Sequence, residues 1–266
     1  RQVAARQPGS VAPIRLARTP AEVAPLVDAL NGLLGRVREA LERERRFTAD
    51  AAHELRTPLA ALKVHAQNAA RADSAGDREA SLERMLAGLE RTVHLAEQML
   101  AYSRAAAPGD AAGLEQVPLR ALAAEAMDAV QPRAQERRVA LLLDCAPQAA
   151  NCAVRGERQK LLSLLTNLID NAVRYGPAGG RIDVELRRDG AGAVFSVADE
   201  GPGIPPALRE RVFESYYRVP GAGGAGSGLG LAIAKEIAQA HGARIAVEDG
   251  PGGRGARVTV HFPTAR

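Results

Sequence analysis

The sequence predicts two kinds of fold in one chain: a long α-helical hairpin that pairs with a second copy as a dimeric four-helix bundle, then an α/β domain. Three observations predict this. In the first hundred or so residues, apolar side chains recur at steps of three and four, as in Leu26, Leu30, Leu33, Val37 and Leu41. After that stretch the pattern changes to short β-type runs alternating with helical ones. Aromatics make up only 3% of the 266 residues, with no Trp, so the core rests on aliphatic side chains, which suits helix packing.

The elements follow in order. Residues 1–20 carry Pro8, Gly9, Pro13 and Pro20 and read as a connector. A helix is expected from Thr19 as N-cap, with Pro20 at the first helical position and Glu22 in the first turn. Its seam from Leu26 to Leu41 is close to the heptad period and needs a partner helix, most simply that of a second copy. The helix continues through Phe47, Leu55, Leu59 and Leu62 to about Arg71, and turn residues Asp73–Asp77 break it. A second helix carries Leu82, Met85, Leu86, Leu89, Val93, Ala96, Met99 and Leu100, which completes the hairpin.

A linker of Ala, Gly and Pro follows. Leu119 to about Arg133 reads as helix, Val139–Leu143 as a buried strand, and Arg158–Tyr175 as a helix with Leu161, Leu164, Leu165, Leu168 and Ile169 on one side. Ile182–Leu186 and Ala193–Ala198 alternate like paired strands around Asp189–Gly192. A helix over Leu229–Ala240 and strands at 245–247 and 258–260 close the chain.

Composition excludes several classes. Apolar residues are 46%, charged residues 25%, and the net charge is +4. The arginines are interspersed with acids, as in Arg43-Glu44-Arg45-Arg46, with no aromatic interleaving, so no nucleic-acid partner is expected. Cys145 and Cys152 form no C-x-x-C pair and have no His cluster, so neither zinc nor a disulfide framework is expected. No apolar stretch approaches the ~20 residues that span a bilayer. The chain begins with Arg1 and lacks a signal-peptide pattern, so it reads as a fragment of something longer.

Four constellations carry chemistry. The first, Phe47–Leu59, sets His53 directly before Glu54 and one turn before Thr57. Pro58 has no N–H for the Glu54 carbonyl, so a bend is expected there. A neutral His attacks phosphorus through one ring nitrogen when a neighbouring acceptor holds the proton on the other, and Glu54 can be that acceptor. Taken alone, a His on a charged helix face is more often simply solvated.

The second, Leu165–Tyr175, puts Asn167 and Asn171 on one helix face beside Arg174, where two amides and a guanidinium can hold a metal–triphosphate group. In the third, Asp199 ends a strand before Gly201, Gly203 and Ile204; its carboxylate can accept from an exocyclic amine beside a flat ligand. The fourth, Gly226-Ser227-Gly228-Leu229-Gly230-Leu231, opens a helix and suits phosphate, but lacks the context of a dinucleotide fingerprint. Between the last two, Arg218 precedes a Gly-rich segment that reads as a lid.

Together and in this order, the four constellations and the Val212–Arg218 segment between the last two resemble the H, N, G1, F and G2 boxes of bacterial two-component sensor histidine kinases over residues 40–266. Thr19 to about Leu41 resembles the second helix of a HAMP signalling module. The resemblance implies residues 1–43 as the HAMP second half and signalling linker, and 44–106 as the dimerisation and phosphotransfer hairpin. It implies 107–116 as linker and 117–266 as a Bergerat, or GHKL ATPase-like, catalytic domain.

It further implies His53 as phosphoacceptor, Glu54 as its acidic partner and Thr57 as the residue of the reverse, phosphatase reaction. Asn171, with Asn167, would hold Mg²⁺. Arg174 would reach the phosphates, Tyr175 cover the adenine and Asp199 read its amine. Gly201, Gly203 and Ile204 would border the nucleotide, Arg218 meet the γ-phosphate, and Gly226, Gly228, Leu229, Gly230 and Leu231 form the phosphate loop. The implied cofactors are ATP and Mg²⁺; the implied partners are a second copy and a response-regulator receiver domain. The implied location is the cytoplasmic side of a bacterial inner membrane, reached through a missing N-terminal part.

Tyr216 stands where Phe is common in this family. Related gyrase- and Hsp90-type ATPases place a Glu near Asn167 to activate water, and an amide cannot serve as that base. A hydrolysing ATPase is therefore disfavoured, while the balance of kinase and phosphatase stays open at this point.

Overall fold

A computed structural model describes Ile14 and residues 23–106, 113–190, 192–221 and 226–263. The chain divides into two compact units, Arg1–Leu89 and Glu90–Arg266, and α2 (Ala75–Ala106) runs from the first into the second.

The first unit is built on α1 (Ala24–Arg71), one uninterrupted helix that includes Pro58. The expected N-cap at Thr19 lies outside the described residues; α1 is described from Ala24, with Pro25 in its first turn. Ahead of it, Asn31 fastens the backbone of buried Ile14, accepting from its N–H at 2.6 Å and donating to its carbonyl at 3.0 Å. The expected break at residues 73–77 is shorter than that. The Ser74 hydroxyl accepts the Asp77 N–H at 3.0 Å and donates to its carboxylate at 2.7 Å, a side-chain N-cap that draws residues 75–77 into α2.

The second unit is a five-stranded sheet of order β2-β4-β5-β7-β6 with three helices on one face. The strands are β2 (Ala140–Cys145), β4 (Arg181–Asp189), β5 (Gly192–Ala198), β6 (Arg244–Asp249) and β7 (Ala256–Phe262). Only β2 with β4 is parallel. The helices are α3 (Leu119–Glu136), α4 (Arg158–Tyr175) and α5 (Gly230–Ala240).

Leu161, Leu164, Leu165, Leu168 and Ile169 of α4 lose essentially all exposure against Ile182, Val184, Phe195 and their neighbours, because the period of 3.6 puts them on one face. The other sheet face is polar. There Arg257 reaches across β5 to Glu185 at 2.9 Å, and Arg187 bonds the same carboxylate at 3.1 Å. Burial alone would raise the Glu185 carboxyl, but these two arginines outweigh it and hold it below its ordinary value.

Three sequence expectations change. The strand expected to be buried, β2, is an edge strand whose residues are exposed or half-buried, with Leu142 46% exposed. Its apolar run meets helices on one side and solvent on the other. The expected linker at 107–116 gives way at Glu115 to β1 (Glu115–Pro118), which pairs antiparallel with β3 (Ala153–Gly156). The helix expected to end near Arg133 continues to Glu136.

The Leu165 side chain is fully buried in this core. Leu165→Ala should cost about 2–5 kcal/mol of stability in the Glu90–Arg266 unit, read as a lowered urea midpoint with little change in slope.

Candidate functional site

In the first unit, His53 and Thr57 are exposed one turn apart on α1, while Glu54 is half-buried. Glu54 follows His53 about 100° around the helix. No hydrogen bond joins the two among the described residues, so the expected Glu54–His53 pairing is not formed here.

In the second unit, a cleft of about 880 Å³, including its solvent-open part, lies between α4, the end of β5 and the loop that opens α5. Asn167, Asn171, Arg174 and Tyr175 reach it from α4, and Asp199, Gly203 and Ile204 from the strand end. Arg218, Gly226, Gly228, Gly230 and Leu231 complete the set of sequence-expected residues in its wall.

Asp199 is 7% exposed. Its Oδ1 accepts from the Gly201 N–H at 2.8 Å and the Ala256 N–H at 3.3 Å. Burial raises its pKa above the ordinary 3.8, and the two backbone donors oppose this without cancelling it. Asn167 donates to the Ser163 carbonyl at 2.8 Å and hydroxyl at 3.3 Å, which leaves its carbonyl oxygen as the available acceptor. Two amide oxygens, Asn167 and Asn171, suit a hard divalent cation that takes its remaining ligands from phosphate and water. Among the described residues no group of three or more His, Cys, Asp or Glu forms a protein-only metal cage.

Two expected residues sit differently. Leu229 is fully buried beneath the loop, and its N–H is accepted by the Ser227 hydroxyl at 3.1 Å. Gly201 is not in the cleft wall. A Cβ there would stand 2.5 Å from the Tyr175 carbonyl oxygen, so its missing side chain serves a backbone contact rather than the ligand. Gly226 differs, since a Cβ there would meet only side-chain ends, the Arg174 guanidinium at 2.9 Å and the Tyr175 hydroxyl at 3.1 Å, which can move aside.

Comparison with known proteins places these features. Residues 43–108 match the family model of the His Kinase A (phospho-acceptor) domain. Residues 156–266 match the histidine kinase-, DNA gyrase B- and HSP90-like ATPase, and residues 1–39 the Sensor protein PhoQ-like HAMP domain. The swarming motility regulation sensor protein RssA of Serratia marcescens is 36% identical over 264 residues, 99% of this chain and 56% of that protein. Sensor protein QseC of Escherichia coli K12 is 39% identical over 242 residues, 90% of this chain and 52% of that protein. The structure of the mycobacterial sensor histidine kinase MprB is 31% identical, with a TM-score of 0.50, over 56% of this chain and 97% of that one. The chain belongs to the two-component sensor histidine kinases. It spans about half the length of the curated relatives it matches. None of the described helices is long and apolar enough to cross a membrane.

Some parts of this histidine kinase's cleft carried no assignment from the sequence. Gly255 has φ +70°, and a Cβ would fall 1.8 Å from the Asp199 carbonyl oxygen, so the 250–256 loop can seat Ala256 against Asp199 only as glycine. The Gly-Pro-Gly-Gly-Arg-Gly run was the available signal. Asp170, which also lines the cleft, carries no motif signal; it bonds Arg174 at 3.2 Å and pairs with Arg133.

A carboxyl whose folded pKa is raised binds protons more tightly in the folded state. Its contribution therefore lowers stability as pH rises from 3.8 through the raised value, and has no effect below 3.8. Asp199→Asn keeps a carbonyl for both backbone donors and removes the buried charge. It should raise the thermal midpoint relative to the parent at pH 7, and the gap should close as the scan is repeated toward pH 3.8. A variant less stable than the parent at neutral pH would contradict this account.

Proposed function

We propose that this chain is an ATP-dependent protein histidine kinase that phosphorylates His53 and passes the phosphoryl group to an aspartate of a response-regulator receiver domain. The observation that carries the proposal is the pairing, on one chain, of an exposed His-Glu-x-x-Thr helix in the phospho-acceptor match with a cleft in the ATPase match. Residues 44–106 would be the dimerisation and phosphotransfer hairpin, and 117–266 the catalytic domain.

In the cleft, Asp199 would accept the adenine amine, since its Oδ2 has no hydrogen bond among the described residues. Tyr175 would cover the ring, with Gly203 and Ile204 along its edge. Arg174, Arg218 and the loop of Gly226, Gly228 and Gly230 would hold the phosphates. Mg²⁺ held by Asn171 and Asn167 would neutralise phosphate charge. One nitrogen of His53 attacks the γ-phosphorus, the bond to the β–γ bridging oxygen breaks, and ADP leaves. The proton on the other ring nitrogen is held by Glu54, which must first make the bond absent here. Thr57 would position water for the reverse reaction on the phosphorylated regulator.

A second copy is the proposed partner in the bundle. Leu26, Leu30, Leu33, Val37 and Leu41 on α1 are 36–69% exposed, and Leu82, Leu86 and Leu89 on α2 are 42–57% exposed. Two apolar rows of this length in water need covering. With the HAMP match, the proposed location is the cytoplasmic side of an inner membrane.

Incubation with Mg²⁺ and γ-labelled ATP should label the parent in an acid-labile, base-stable bond, and His53→Ala should carry no label. A parent that binds ATP without becoming labelled favours a phosphatase-biased protein; label retained by His53→Ala would sink the assignment. In sedimentation, the parent should be a dimer and a Leu33→Asp/Leu86→Asp double variant a monomer; a monomeric parent would refute the bundle.

A further inference from the structure

Helix α3 ends with two arginines one turn apart, Arg133 and Arg137, and both reach α4. Arg137 donates to the carbonyl of Arg174 and, at 3.0 Å, to that of Gly176, which anchors the end of the helix. Arg133 pairs through Nη1 with Oδ1 of Asp170. The other oxygen of Asp170 holds Nη2 of Arg174 at 3.2 Å. Asp170 and Arg174 both line the cleft, with side chains only 19% and 16% exposed, whereas the Arg133 side chain is 41% exposed and stands outside the cleft wall.

A carboxylate in this wall works against an anionic ligand in two ways. It repels phosphate, and it competes for the guanidinium that phosphate would use. The pair Asp170–Arg174 has no net charge. With Arg133 the three groups sum to +1, from two guanidinium charges and one carboxylate charge. Arg133 also occupies the Asp170 oxygen that Arg174 does not use, so Asp170 keeps a partner when Arg174 turns away.

We propose that Arg133 is a positioning residue for polyphosphate binding. From outside the cleft it neutralises Asp170, and this frees Arg174 to meet phosphate. The inference rests on the nucleotide reading of the cleft.

The test is nucleotide titration of the whole chain with ATP and with adenosine, which lacks phosphate. Arg133→Gln should weaken ATP binding about five- to tenfold and leave adenosine unchanged. Arg133→Lys, which keeps the charge, should stay within about twofold of the parent. In an Asp170→Asn background, adding Arg133→Gln should change ATP affinity by less than about twofold, because there is no carboxylate left to neutralise.

Equal ATP affinity for parent and Arg133→Gln overturns the proposal. So does a parallel loss of ATP and adenosine, which marks a merely structural role, or a loss that persists with Asn at 170. A parent that binds no ATP overturns the nucleotide reading itself, and this inference with it.

Discussion

The burial of one apolar stripe decides where the α4 polar groups of the cleft stand. Leu161, Leu164, Leu165, Leu168, Ile169, Ala172 and Val173 of α4 are all buried. Asn167, Asp170, Asn171 and Arg174 recur at the same steps of three and four, displaced around the helix, so they must emerge as a second stripe along its border. Turning α4 by one residue would rotate it about 100° and carry a carboxylate or a guanidinium into an aliphatic core, which no local partner could offset. Core packing and site geometry are therefore one constraint. The α4 side of the site is fixed because its scaffold helix has only one acceptable orientation.

A second constraint acts between backbones. Gly255 lies over the carbonyl of Asp199, Gly201 over that of Tyr175, and Gly228, at φ +72°, over Tyr216 and Tyr217. The Tyr216 N–H donates to the Gly228 carbonyl at 3.0 Å, and Tyr216 itself sits at φ 63°, a strained conformation for a bulky residue. Tyr216 and Gly228 are thus pinned together at a neck that tolerates no Cβ on one side. Several of these glycines let protein approach protein, although a glycine-rich loop beside a phosphate site invites the interpretation that the ligand alone requires them. The distinction matters for substitution: Ala at 201 or 228 would shift the strand end or the Tyr216–Gly228 neck before any ligand arrives.

What was legible in the sequence follows from the range of the signal. The stripe of α4, the hairpin of β4 and β5 around Asp189–Gly192, and α5 after its glycine loop were legible because each is specified within its own segment. Strands β1 and β3 are four residues each and find one another across a helix and a strand, so no local period marks them. The run Leu141–Leu143 read as buried because apolar composition cannot tell an edge strand from a central one. In the site, Asn167, Asn171, Asp199 and the phosphate-type loop were legible as clusters of residues that are poor choices for ordinary helix or strand. Asp170 was not, because an acid on a helix is unremarkable until Arg133 and Arg174 are seen on either side of it.

The carboxylates of the cleft wall bear on what chemistry the cleft itself can support. Among the described residues, the only carboxylates in the cleft wall are Asp170 and Asp199. Asp170 is held by two arginines, and Asp199 is buried with two backbone donors on one oxygen. Where a water-activating base would be needed, Asn167 offers an amide committed to Ser163. The cleft wall therefore offers an anion arginines and amides, while each of its two carboxylates is already engaged by donors. A neutral imidazole attacks phosphorus through a nitrogen that carries no proton, and His53 is exposed on α1. Under the proposed function, a cleft whose acids are engaged and a histidine that attacks without first losing a proton answer the same chemical requirement.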